Sequence, residues 1–264
     1  MRDFYAATAP APLDDQAQGL RRLFGGKRQR VLPVAANPHV PESGLVLDHV
    51  TAALVARGQR VLVVDAADAA PAPAEMARID LASCIVPLSA QVGYLAARGL
   101  PLAHVDTRGS ASGFIDALLE AAPAATAIVL HANATDLARM FMRRAARPML
   151  IGADDAESIK HAYAACKLLA QRCNLMTFDL LLAAKPRSRR VPTIAQTLSN
   201  CADNFLGAVL HDWAVIDPAV APREEAEPSL DRVLAAQLTL QSDVLPLGGW
   251  PGAPLGAVAQ ARPN

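Results

Sequence analysis

The sequence has no surplus of either charge: 25 Lys and Arg balance 25 Asp and Glu. That excludes nucleic acid as a general partner, because phosphate binding needs a clustered basic excess. Two local basic runs, Lys27, Arg28 and Arg30, then Arg187, Arg189 and Arg190, read as solvated turns. The four cysteines, at 84, 166, 173 and 201, contain no CxxC pair and read as reduced, mostly buried thiols of a cytosolic protein. The six histidines form no HxxxH or HExxH, so no metal site is expected. The longest uncharged runs are broken by Pro and Gly, which leaves no candidate spanning helix. The first residues carry an Arg and an Asp and no apolar core, unlike a secretory signal.

What is present is apolar bulk in regular order. Of 264 residues, 52% are hydrophobic and the mean hydropathy is +0.21, enough for one large domain with a sizeable core. After an Ala- and Pro-rich start, residues 13–24 place Leu13, Ala17, Leu20 and Phe24 on one helical face. Asp14 and Asp15 suit that helix's N-terminus, Arg21 and Arg22 its C-terminus, and Gly25-Gly26 stop it. The body then alternates. Strand-like runs fall near 30–36, 60–65, 101–106, 125–131, 146–151 and 177–184, and helical patterns near 43–57, 110–121, 135–143, 155–171 and 189–202. Such alternation predicts an α/β fold: a doubly wound, mainly parallel sheet with helices on both faces. A short helix at 89–97 and one more strand near 83–87 are expected in the less regular region. Asp154 followed by Glu157 predicts a capping box for the 155–171 helix, with Ile159, Tyr163, Cys166 and Leu169 as its buried stripe. A last helix is expected at 229–240. The divisions are a 1–28 arm and helix, a 29–242 α/β domain, and a Pro/Gly-rich 243–264 tail that reads as flexible.

The segment ANPHVPESG, residues 36–44, joins the first strand to the first body helix, where many nucleotide-binding folds hold phosphate. Phosphate needs glycines that let backbone N–H groups approach, a Lys, and a hydroxyl for Mg²⁺. Here Pro38 and Pro41 remove two N–H donors, Glu42 repels phosphate, and only Ser43 offers a hydroxyl. G-x-G-x-x-G is absent as well, so Asp65 at the end of the second strand does not read as a ribose contact. RGSASG, residues 108–113, reads as a tight turn and helix cap, and Ala111 occupies the position a nucleophile elbow would need. The adjacent His211 and Asp212 make a poor catalytic dyad, and no Ser/His/Asp set emerges.

DQAQGLRRL, Asp15 to Leu23, resembles the DQAxxLR motif of the FlhG family, the MinD-like regulators of flagellar number and placement. The body resembles the wider MinD/ParA group of P-loop ATPases. RVLPVAANPHVPESGLVLDHV aligns without gaps on a strand, SGKGGVGKT and a helix, and RVLVVDAAD on RVLLLDAD. ADDAESIKHAYAACKLLAQ is similar to the family's T-PEPTSITDAYALIKLL segment, and NFLGAVLHDWAVIDP to its FLG-x-x-P-x-D ending. The resemblance covers about residues 14–240 and implies the P-loop fold of the MinD (SIMIBI) class.

It also implies that the nucleotide site is degenerate. Pro38 stands where the family has its signature lysine, Ser43 where it has the P-loop lysine, and Gly44 where it has the Mg²⁺-binding Thr. His131 stands at a strand-end Asp; Ala67 stands at the second Asp of DAD, into whose place Asp68 could shift. Ala183 or Ala184 takes the place of an adenine-contacting Asn. The expectation is a cytosolic pseudo-ATPase with no cofactor. The resemblance ties the N-terminal helix to an FlhF-like GTPase of the signal-recognition type: Ala17 and Leu20 would fill an apolar groove, Asp15 and Arg21 orient the helix, and Gln16 help position water. Flagellar C-ring or regulatory proteins are further candidate partners, with weak or no membrane association. The alternative is an active MinD/ParA-type ATPase switch with a divergent site, serving flagellar placement, cellulose secretion or partition.

Overall fold

The structure, a computed structural model, describes residues 29–185, 188–222 and 226–240. The N-terminal helix expected at 13–24 and the tail at 243–264 lie outside these residues. Eight strands form one sheet: β1 Arg30–Ala35, β2 Val61–Asp65, β3 Val86–Pro87, β4 Val92–Ala96, β5 Ala127–Ala132, β6 Met149–Ala153, β7 Thr177–Ala183 and β8 Val209–Ile216. Their order is β3-β4-β2-β5-β1-β6-β7-β8. Only the β3–β4 pair is antiparallel. The helices are α1 Ser43–Ala56, α2 Leu100–Ala103, α3 Ser112–Ala121, α4 Ala134–Met140, α5 Ala156–Cys173, α6 Arg190–Leu206 and α7 Pro228–Thr239.

The central strands are apolar almost throughout because both faces are covered. All six residues of β5 are buried. On one face α1 and α7 pack through Val46, Val50, Leu54, Leu230, Val233 and Leu234. On the other, α3 to α6 pack through residues such as Phe114, Leu137, Leu169 and Leu198. The chain leaves β1 toward the first face and β5 toward the second. Connections therefore diverge above two neighbouring strands, the topological switch point where open α/β sheets form crevices.

Four local expectations need correction. Residues 89–97 hold strand β4, not a helix. The strand pairs with β2 along its length, and Gly93 inside it, where a Cβ would sit 3.0 Å from Ile85 Cγ2, interrupts the side-chain pattern that would mark a strand. Residues 101–106 are α2 and a turn, not a strand; Pro101 suits a first helical turn and follows Gly99 at φ +75°. Strand β8 carries no clear strand pattern in the sequence because its alternation breaks: Phe178 pairs with Leu210 but Asp179 with Asp212, leaving His211 as an extra residue. Such a bulge flips the side-chain parity along the strand. Finally, the cap of α5 is Asp155, whose carboxylate accepts from the Ser158 N–H, not Asp154. In the stripe of that helix Cys166 and Leu169 are buried, whereas Ile159 and Tyr163 are half-buried against the core.

All four cysteines are free, but only Cys166 is buried. Among the described residues, no helix is long and apolar enough to cross a membrane.

Candidate functional site

The loop after β1 sits at the switch point, and its backbone is occupied by its own turns. Ala36 N–H donates to Ala132 O, Val40 N–H to Asn37 O and Ser43 N–H to Val40 O. His39 N–H donates to the Asn37 side chain at 3.1 Å. With Pro38 and Pro41 lacking a donor, most N–H groups between 36 and 43 are absent or spent inside the protein. Pro38 and Gly44 are exposed and Ser43 is half-exposed. A Cβ on Gly44 would meet nothing within 4 Å, so no close approach calls for a glycine there.

Asn37 holds this loop down. It is 3% exposed, and its Nδ2 donates to Ile151 O and Ser158 O, both at 2.8 Å. Ser158 is fully buried; its Oγ accepts from Ala153 N–H at 2.9 Å and donates toward Ala153 O or Asp155 O. Neither residue was singled out in the sequence. An Asn after a strand is unremarkable there, and its partners lie more than 110 positions away. Beside them the rings of His39 and His161 meet edge-on, with centroids 5.7 Å apart. Burial, then the charge of His39, holds the His161 pKa below its usual range, against a backbone hydrogen bond with Ala36. The Ser158 N–H holds the Asp155 carboxyl below the usual carboxylate range.

Asp65 and His131 come together. They are register partners at the ends of β2 and β5, with His131 Nδ1 2.9 Å from Asp65 Oδ1. Their side chains are only 17% and 5% exposed. Ala67 N–H also donates to Asp65 Oδ1, at 3.3 Å. His131 Nε2 is buried and has no partner among the described residues. Asp68 stands apart from this pair: it is exposed, and its Oδ1 accepts from Asn133 Nδ2 at 3.2 Å. Asn133 also caps α4 through the Asp136 N–H, and Arg139 pairs with Asp136 at 2.7 Å. Ala67, Ala183 and Ala184 are buried and bring no polar side chain to the crevice. Asp15, Gln16, Ala17, Leu20 and Arg21 lie outside the described residues.

The other candidates resolve into turns and clasps. In 108–113, Asp106 Oδ1 accepts from the Arg108 and Ser110 N–H groups, and Gly109 takes φ +80°, forming a tight turn. His211 pairs with the buried Asp179 at 3.2 Å, whereas Asp212 pairs with Arg232 at 2.7 Å, so the two neighbours face different partners. Among the described residues, no group of three or more His, Cys, Asp or Glu is placed to hold a metal.

No protein-family model and no curated protein matches the sequence. The fold is similar to that of several solved structures. The MinD cell division protein of Aquifex aeolicus is 11% identical, with 79% of this chain and 97% of that one covered and a TM-score of 0.52. A chain of the MinC:MinD cell division protein complex of Aquifex aeolicus is also 11% identical, with 78% of this chain and 96% of that one covered and a TM-score of 0.54. A putative plasmid partition protein from Borrelia burgdorferi, bound to AMPPNP, is 10% identical, covers 79% and 97%, and gives 0.55. At such identities the likeness is one of fold. The chain has a MinD/ParA-like, P-loop NTPase-type architecture.

Proposed function

We propose that the chain is a non-catalytic MinD-like regulator of flagellar assembly that binds and stimulates an FlhF-like GTPase through residues 13–24. The observation that carries the non-catalytic part is the closure of the loop after β1. A phosphate cradle presents unspent backbone N–H groups to the ligand; here Ala36, His39, Val40 and Ser43 donate within the protein and residues 38 and 41 are prolines. The loop has no lysine. At the neighbouring strand ends Asp65 is engaged by His131, where a metal-dependent site would want a carboxylate facing its ion.

The partner role rests on DQAQGLR, which resembles the FlhG motif. A short amphipathic helix can lay Ala17 and Leu20 in an apolar groove while Gln16 helps orient the attacking water of a GTPase. Calorimetry with Mg-ATP is expected to show no binding at physiological concentration. Several charge-assisted contacts of about 1.5–3 kcal/mol each have no counterpart in the loop. Gln16→Ala is expected to lower stimulation of the GTPase while leaving thermal stability within about 0.5 kcal/mol. A micromolar dissociation constant for Mg-ATP would favour the ATPase-switch alternative. Undiminished stimulation by the Gln16 variant would remove that residue's role.

A further inference from the structure

A groove of about 1080 Å³ runs along α3, apart from the loop after β1. Its floor is apolar, made by Val31, Ile115, Leu119 and Phe141. One end is marked by Gln29, whose Nε2 donates to the carbonyl of Ala122, the residue just after α3. The other end lies at the start of α3, where Ser110 and Arg139 meet and Arg144 grips Asp116 with both carboxylate oxygens at 2.7 Å. Two more arginines line that end, Arg108 and Arg143. Both are exposed, and neither side chain has an ion pair or hydrogen bond among the described residues. Arg143 is also held at φ +66°, a left-handed conformation that disfavours non-glycine residues.

We propose that residues 13–24 of this same chain dock as a helix in this groove. Gln29 is the first described residue, so the preceding segment enters at that end. Residues 25–28 can span roughly 13 Å when extended, ample for the chain to turn back along α3. A twelve-residue helix is about 18 Å long and α3 about 15 Å, so the two match in length. With its C-terminus tethered near Gln29, the helix brings its N-terminus to the arginine end. Asp14, about 100° round the helix from Leu13, then flanks the stripe and meets Arg108 and Arg143, while the stripe of Leu13, Ala17, Leu20 and Phe24 covers the apolar floor. Docking so placed covers Ala17 and Leu20 and withholds them from a partner. That regulatory consequence rests on the partner role proposed above; the docking itself does not.

Hydrogen exchange of the full chain, with no partner present, tests the docking. Backbone amides of 13–24 are expected to be protected. Arg108→Glu with Arg143→Glu should reduce that protection about five-fold or more, the effect of losing the pairing with Asp14 and setting two carboxylates beside it. Adding Asp14→Arg to that variant should restore it, which shows that the reversals have not simply damaged the fold. The proposal is overturned by unprotected amides at 13–24 in the parent chain, by protection that reversal leaves unchanged, or by protection that re-pairing does not restore. Groove protection that disappears on removing residues 241–264 instead assigns the groove to the tail and also overturns it. GTPase stimulation is read separately. Protection in the parent chain with no stimulation by the Arg108→Glu, Arg143→Glu variant, which frees the segment, counts against the partner role alone, and stimulation with no protection in the parent chain counts against the docking alone.

Discussion

Asp179 is fully buried and holds three elements at once. Gln237 of α7 donates to its Oδ2 at 2.7 Å, Arg147 Nε lies 2.9 Å from the same oxygen without hydrogen-bond alignment, and His211 of β8 approaches Oδ1 at 3.2 Å. Burial pushes the Asp179 carboxyl above its usual range, opposed by Arg147, Gln237 and His211. A raised folded-state pKa favours the folded form at low pH, and that contribution fades as pH rises through the raised value. The ion pair is therefore no simple source of stability at neutral pH, yet breaking it is costly. Asp179→Ala strands the buried Arg147 and should cost about 3–5 kcal/mol in urea denaturation. Removing both charges together, with an apolar residue at 147, should recover much of that loss. His161 works in the opposite sense, because its folded-state pKa is lowered. Its contribution is present above the ordinary value of 6.5 and is lost as pH falls through the lowered value. Denaturation midpoints measured on acidification from 6.5 should fall less steeply for His161→Gln than for the parent chain.

Among the elements, α7 falls where the sequence expects a helix, at 229–240, but its apolar stripe leaves its role open. Leu230, Val233 and Leu234 could serve an interfacial helix as well as a core helix, since both need one apolar stripe. The fold uses that stripe internally: all three residues are 1% exposed or less. Polar contacts hold the helix in place. Asp231 pairs at 2.7 Å with Arg57, the residue just after α1, Arg232 takes Asp212 of β8 through two nitrogens, and Gln237 reaches Arg147 O at 2.8 Å. Leu234→Ala should destabilise the whole domain by about 2–5 kcal/mol, measured by chemical denaturation, because the cavity opens against the sheet. With its apolar side covered, α7 should confer at most weak binding to anionic liposomes, and robust co-sedimentation traced to this helix would contradict its packing.

At the scale of the molecule, one sheet separates two cores, and neither face closes without helices from distant parts of the chain. Cys166 reports on the larger one. It is 1% exposed, and burial pushes its thiol up to about 12. Thiolate is the reacting form, so Cys166 should label with a thiol reagent last of the four. Its labelling rate should follow the population of the opened domain. Cys84, Cys173 and Cys201 are partly exposed and should label first. Early labelling of Cys166 under native conditions, read by peptide mass mapping, would mean that the α5 face opens locally.

The fold class is legible in the amino-acid order, because a parallel sheet covered on both faces demands uninterrupted Val, Ile and Leu runs spaced by helices. That order also settles which chemical groups the loop at 36–44 lacks, since a missing lysine is missing in any conformation. It did not reveal β4, where Gly93 makes room for Ile85, or β8, where one extra residue resets the alternation. What the remaining polar groups do depends on the folded arrangement. Asp65 meets His131 across adjacent strands separated by 66 positions in the chain, and Asn37 reaches carbonyls more than 110 positions away. Such pairings leave no periodic signature, because each depends on two strand ends arriving side by side. For the same reason α7 became a core helix: the choice between sheet and bilayer lay in what stood opposite its apolar face.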